Sequence, residues 1–348
     1  MRAALLFASI LFAASVHASD GIQNADRLMQ RYQGEAPGAA LLVLRDGKPL
    51  LRKGYGLADL ERHAKVTPAT DFRLASVSKQ FTAAAILLLA EDGKLTLDDS
   101  IRHWLPSLPA TTDQVTLRQL LSHTGGLIDY EDLIPPNRTA QLDDQDVLRM
   151  LSATPRSYFA PGSAYRYSNS GYVLLGLVVE KASGRTLQDF LAQRIFRPLH
   201  MDHTLLYVHD SKNVPNRAYG YSKTGGRWLR TDQDLTSATR GDGGIYSNID
   251  DLAKWDAALY DDRLLGDASR QAAFSPHAKV TGEPYEASYG YGWRITGDTL
   301  WHSGESIGFR NVIVRWPKQH LTVILLSNRN DPEPYQTVLE IAQPFLGK

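Results

Sequence analysis

The chain has 348 residues, and its 38 Lys and Arg balance 38 Asp and Glu. A neutral chain without a basic run gives no electrostatic reason to expect a nucleic-acid partner. The absence of Cys excludes disulfides, thiolate chemistry and a lipoprotein attachment site.

The first element is a leader. Arg2 supplies a positive start, Ala3 to Val16 is apolar apart from Ser9 and Ser15, and Val16-His17-Ala18 fits a small-x-small cleavage site. Residues 1–18 are read as a signal peptide of an exported protein. The run is shorter than the roughly 18 apolar residues of a membrane span. The remaining residues, 19–348, have no internal repeat or linker and read as one domain, long enough for a core without metal or disulfide support.

Ala39 to Arg45 and Leu50 to Tyr55 read as two antiparallel strands, joined through Asp46-Gly47, a dipeptide suited to the positive φ angles of a tight hairpin. From Ser76 to Glu91 the pattern changes to Ala, Leu, Ile and Phe and stops at Gly93, which predicts a buried helix. Shorter helical patterns follow, among them Asn169 to Ser183 and Asp250 to Tyr260. Strand patterns return at Tyr289 to Ile295, Thr299 to His302, Phe309 to Trp316 and Leu321 to Ser327, with turns at Gly297-Asp298 and Pro317-Lys318. A closing helix is expected from about Pro332 to Phe345. The expected fold is therefore α+β: an antiparallel sheet built from both termini (about 19–75 and 266–348), flanked by helices, beside a mostly helical part (about 76–265). A cleft is expected between the two parts.

Three short motifs carry chemistry. Ser76-Val77-Ser78-Lys79 puts a hydroxyl and an amine three residues apart on one helical face, where the amine can take the hydroxyl proton. The backbone N–H of Ser76 can stabilise an oxyanion there. Tyr167-Ser168-Asn169 presents a phenol, a hydroxyl and an amide that can relay a proton and orient a substrate. His302-Ser303-Gly304 ends a predicted strand, where Gly allows close approach and the N–H of Glu305 can be a second oxyanion donor. Taken singly, Ser76 and Asn169 are also plain helix caps and His302 an ordinary strand histidine.

In this order, Ser-x-x-Lys, Tyr-x-Asn and His-Ser-Gly give a sequence that resembles the serine β-lactamase and penicillin-binding-protein superfamily. The Tyr-x-Asn form is similar to class C β-lactamases, class VIII esterases and D-Ala-D-Ala carboxypeptidases of that branch. Phe72-Arg73-Leu74-Ala75-Ser76, Leu120-Leu121-Ser122-His123-Thr124-Gly125-Gly126 and Gly241-Asp242-Gly243-Gly244-Ile245-Tyr246-Ser247 also look like this family. The resemblance implies an acyl-enzyme on Ser76, with Lys79 and Tyr167 sharing the proton work and with Asn169, His302, Ser303, Gly304 and Glu305 in the substrate site. It implies a bacterial protein, so that the exported product is periplasmic or secreted, and it implies no cofactor and no metal. His302 stands where most class C enzymes have Lys, which points away from efficient β-lactam hydrolysis, with Arg310 as a candidate replacement charge.

Gly304-Glu305-Ser306-Ile307-Gly308 also matches a nucleophile elbow, but a strand pattern follows it instead of a helix, and no Asp then His follows in order. His200, His203 and His209, with Asp202 and Asp210, lack the helical spacing of a zinc protease and read as a loop; His123 is given a structural role. The substrate classes expected are a small-molecule ester, a D-amino-acid or D-Ala-D-Ala peptide, and a β-lactam. An inactive penicillin-binding or sensory domain is the reading from another class.

Overall fold

The computed structural model describes residues 20–208, 214–282 and 284–346. The expected leader, His209 and Asp210 lie outside them. Eight strands form the main sheet: β1 Ala39–Arg45, β2 Lys48–Tyr55, β3 Ala278–Lys279, β4 Ser288–Tyr289, β5 Arg294–Thr296, β6 Thr299–Ser306, β7 Phe309–Trp316 and β8 Leu321–Ser327. They lie in the order β3-β4-β5-β6-β7-β8-β1-β2, every neighbouring pair antiparallel. The two ends of the chain meet where β1 pairs with β8, Ala39 opposite Ser327 and Arg45 opposite Leu321. The hairpin turn forms as the Asp46-Gly47 pair requires, with φ of +50° and +70°.

Strand alternation gives each face of the sheet its own core. Ala39, Leu41 and Val43 share one face with Val312, Val314, Val323 and Leu325, under Val338 and Ile341 of the helix Tyr335–Leu346 and Ala25 and Leu28 of a helix over 20–28. Ala40, Leu42, Leu44, Ile313, Ile324 and Leu326 face the other way, into the helical part. Because both faces are covered, β1 and β8 are apolar almost throughout rather than alternating. The helix Lys79–Glu91 lies at the centre of the helical part, buried from Lys79 to Leu89, and packs against the helix Asn169–Ser183.

Two expectations change. Tyr289 to Ile295 is not one strand: Gly290 and Gly292 turn the chain between β4 and β5. A Cβ on Gly290 would lie 2.2 Å from the Ala273 carbonyl, and one on Gly292, at φ +78°, 2.9 Å from that of Lys79. Ser76 does not begin the α-helix either. Ala75–Ser78 forms a 3-10 turn and the α-helix starts at Lys79. The middle of the chain also carries a small hairpin, Tyr221–Thr224 with Arg227–Arg230, and a short sheet of Phe72–Arg73, Ile245–Ser247 and Leu205–Leu206.

Candidate active site

Ser76 is the one residue between Asp71 and Leu89 that is not buried. The turn that presents it is held in an unusual backbone state: Ala75 has φ +49°, a conformation that costs an L-residue energy and persists only where the surroundings impose it. Those surroundings are specific. Leu74 N–H donates to the Ile245 carbonyl at 2.8 Å, and Asn311 Nδ2, on fully buried Asn311 of β7, donates to the Arg73 carbonyl at 2.8 Å. β6 closes on the turn from the other side. A Cβ on Gly304 would stand 2.0 Å from the Leu74 carbonyl and 3.2 Å from the Val77 nitrogen. The backbones of Glu305 and Ser76 therefore belong to two segments in direct contact.

Lys79 is fully buried, and its ammonium has an acceptor for each of its three protons: Ser76 Oγ at 2.9 Å, Asn169 Oδ1 at 2.7 Å and the Asp242 carbonyl at 3.0 Å. Its Nζ also lies 4.9 Å from the centre of the Tyr167 ring. The motif Tyr167-Ser168-Asn169 reaches this point because the chain enters the helix Asn169–Ser183 directly from an extended Ser168. Asn169 is fixed by Asp129 and Glu131: its N–H donates to Asp129 Oδ2 at 2.6 Å and its Nδ2 to Glu131 Oε1 at 2.8 Å.

Behind Tyr167 lies buried His123, its ring 4.3 Å from the Tyr167 ring and its Nδ1 accepting from the Ser168 N–H at 3.2 Å. Burial, with Lys79 and His302 close by, holds its imidazole well below the usual range. His302 sits within β6 and not at its end, 1% exposed. Its Nδ1–H donates to the Ser303 carbonyl at 2.6 Å and its Nε2 accepts from Tyr289 Oη at 2.9 Å, the tautomer that serves both partners. Burial, then Arg294 and Lys79, pushes its pKa well down, so position 302 carries no charge at neutral pH.

Arg310 corrects an expectation. It shares a face of β7 with Val312 and Val314, toward the closing helix, whereas Phe309, Asn311 and Ile313 face the helical part. There it pairs with Glu305 at 2.5 Å. Strand parity takes it away from the Ser76 side, so it does not replace the missing lysine. A second cation near the site, besides Lys79, is one that sequence reasoning missed. Arg294 of β5, only 6% exposed, lies 5.5 Å from the Tyr167 ring and 5.9 Å from that of Tyr289. Its only signal was an arginine ending the aromatic run from Tyr289 to Trp293.

Ser306 ends β6 and leads through Ile307 and Gly308 into β7, so the Gly-x-Ser-x-Gly segment is a hairpin turn and lacks the helix of a nucleophile elbow. Among the described residues no group of three or more His, Asp or Glu could hold a metal ion, and no helix is long and apolar enough to cross a membrane.

A family model described as Beta-lactamase matches residues 23–344. Penicillin-binding protein 4* of Bacillus subtilis (strain 168) is 34% identical over 328 residues, covering 88% of this chain and 71% of that protein. Protein flp of Staphylococcus aureus (strain N315) is 28% identical over 323 residues; the match covers 90% of this chain but only 64% of flp. Among solved structures, D-amino acid amidase from Ochrobactrum anthropi SV3, complexed with L-phenylalanine amide, superposes with a TM-score of 0.79 at 26% identity, over 94% of this chain and 97% of that one.

Proposed function

We propose, because the chain belongs to the β-lactamase family, that it is a serine hydrolase cleaving esters or amides through an acyl-enzyme on Ser76. The observation that carries this reading is the 2.9 Å contact from Lys79 Nζ to Ser76 Oγ, at the one open position of an otherwise buried segment. Ser76 Oγ attacks the substrate carbonyl carbon. Its proton passes to the one of Lys79 and Tyr167 that enters the step deprotonated, and the N–H groups of Ser76 and Glu305 stabilise the oxyanion. As the intermediate collapses, the leaving oxygen or nitrogen takes a proton from Tyr167, and water then hydrolyses the acyl-enzyme. Negative charge that develops on the Tyr167 oxygen in these steps is stabilised by Lys79 and Arg294, the two cations near its ring.

Charge around the cleft bears on the substrate. A β-lactam presents a carboxylate, yet His302 is neutral, Arg310 is turned to the other face and paired, and Arg294 is enclosed among rings. An acidic group, Glu131, instead sits beside Asn169. This favours neutral esters, and as a second reading amides of D-amino acids whose ammonium group Glu131 receives, the substrate class named by the amidase relative. The test is kcat/KM for p-nitrophenyl butyrate, D-alanine p-nitroanilide and a chromogenic cephalosporin on one enzyme preparation. The absent charged hydrogen bond should place the cephalosporin about ten- to a hundredfold below the better of the other two. Glu131→Gln should weaken the anilide relative to the ester. A wild type that prefers the cephalosporin would overturn the charge argument.

A further inference from the structure

Tyr167 also lines an open surface depression of about 570 Å³, together with Tyr158, Phe159, Tyr165, Arg166, Thr281 and Gly282. Four of these are aromatic, and the loop that carries them is fixed in place. Tyr158 N–H donates to the Gly126 carbonyl at 2.8 Å, Gly162 N–H to that of Thr124 at 2.8 Å and Arg166 N–H to that of His123 at 3.1 Å. The one cation in the lining is engaged: Arg166 lies 3.7 Å from the centre of the Tyr158 ring and 3.3 Å from Asp132. The depression is thus an aromatic wall held in place by backbone hydrogen bonds, its lining cation paired.

Its position relative to the chemistry decides what enters it. The group that returns a proton to the departing atom must lie within hydrogen-bond reach of that atom. If Tyr167 is that group, the departing alcohol or amine is next to Tyr167, and the depression that Tyr167 itself lines is the adjoining surface for the rest of the leaving group.

We infer that the aromatic depression of Tyr158, Phe159 and Tyr165 is the leaving-group site and selects substrates whose leaving alcohol or amine carries an aromatic ring. This rests on the acyl-enzyme reading of Ser76. In the step concerned the carbonyl carbon–oxygen bond breaks, its electron pair stays on the departing oxygen, and that oxygen takes the Tyr167 proton. The ring stacks on Phe159 while the acyl group stays on Ser76.

The experiment compares benzyl acetate with ethyl acetate, which leave the same acetyl-enzyme and release alcohols of similar acidity, so their kcat/KM ratio isolates the leaving-group site. Wild type should prefer the benzyl ester by about tenfold or more, from the buried ring area and its stacking. Phe159→Ala should lower the ratio about three- to tenfold. Thr281→Trp, at an exposed lining position contributed by another segment, should lower it by filling the depression, and it guards against a Phe159 variant that folds poorly. A wild-type ratio near one, or a ratio that neither variant changes, overturns the inference. Hydrolysis of both esters that persists in Ser76→Ala would instead overturn the reading on which it rests.

Discussion

Lys79→Ala and Tyr167→Phe should each lower kcat for p-nitrophenyl butyrate by about 10² to 10⁴, the usual range for losing general acid-base help. The two differ in what else they disturb. Tyr167→Phe keeps the ring that packs on His123 at 4.3 Å and removes only the hydroxyl, so its melting temperature should stay near that of the wild type. Lys79→Ala strips a donor from Asn169 Oδ1 and the Asp242 carbonyl in a buried place, so some stability is lost with the activity. On the proposal that Lys79, Tyr167 and Ser76 Oγ share one relay, the double variant should lose little more than the worse single variant. Losses that multiply would show two independent contributions and remove the shared-proton account.

Gly304→Ala is the second large effect. One methyl group at this position would lie 2.0 Å from the Leu74 carbonyl, and that atom is backbone in a turn already strained at Ala75. Neither side can yield cheaply, so β6 and the Ser76 turn must separate, and a displacement near 1 Å between reacting groups costs about 10² in rate. The comparison is Gly171→Ala, where the new Cβ would meet its nearest neighbour, the Leu120 carbonyl, at an ordinary 3.5 Å inside the helix Asn169–Ser183. That variant should keep its activity and gain a little stability from helix propensity. Circular dichroism melts and kcat/KM on both proteins check the pair; a Gly304→Ala enzyme as active as Gly171→Ala would show that the strand does not set the position of Ser76.

How much of this was legible in the sequence depends on how local each cause is. The hairpin through Asp46-Gly47, the helix Asn169–Ser183 and the strands Phe309–Trp316 and Leu321–Ser327 follow from turn chemistry and side-chain periodicity within a few residues, and they stand where the pattern puts them. The break between β4 and β5 does not. Gly290 and Gly292 are needed because Ala273 and Lys79, distant in sequence, approach them. The 3-10 turn at Ser76 was hidden for a similar reason, since strand and loop partners impose it on a segment whose own composition reads as helix. The hairpin over Tyr221–Arg230 had a visible Gly225-Gly226 turn, but its flanks are polar and short and gave no strand period. In the site, the three motifs were readable because each is a compact chemical unit. Their supports were not: the Asp242 carbonyl is backbone, Glu131 and Asp129 come from a separate loop, and Arg294 acts from a neighbouring strand. The side taken by Arg310 was in principle decided by parity along β7, two residues before Val312, once the core face of that strand was known.

The identity of the reacting serine is tested most directly by labelling the purified protein with a fluorescent phosphonate and locating the adduct by mass spectrometry. A single adduct on Ser76 is expected, with the same labelling in Ser306→Ala and loss of both label and ester hydrolysis in Ser76→Ala. An adduct on Ser306 with Ser76 unmodified, or full ester hydrolysis in Ser76→Ala, would contradict it.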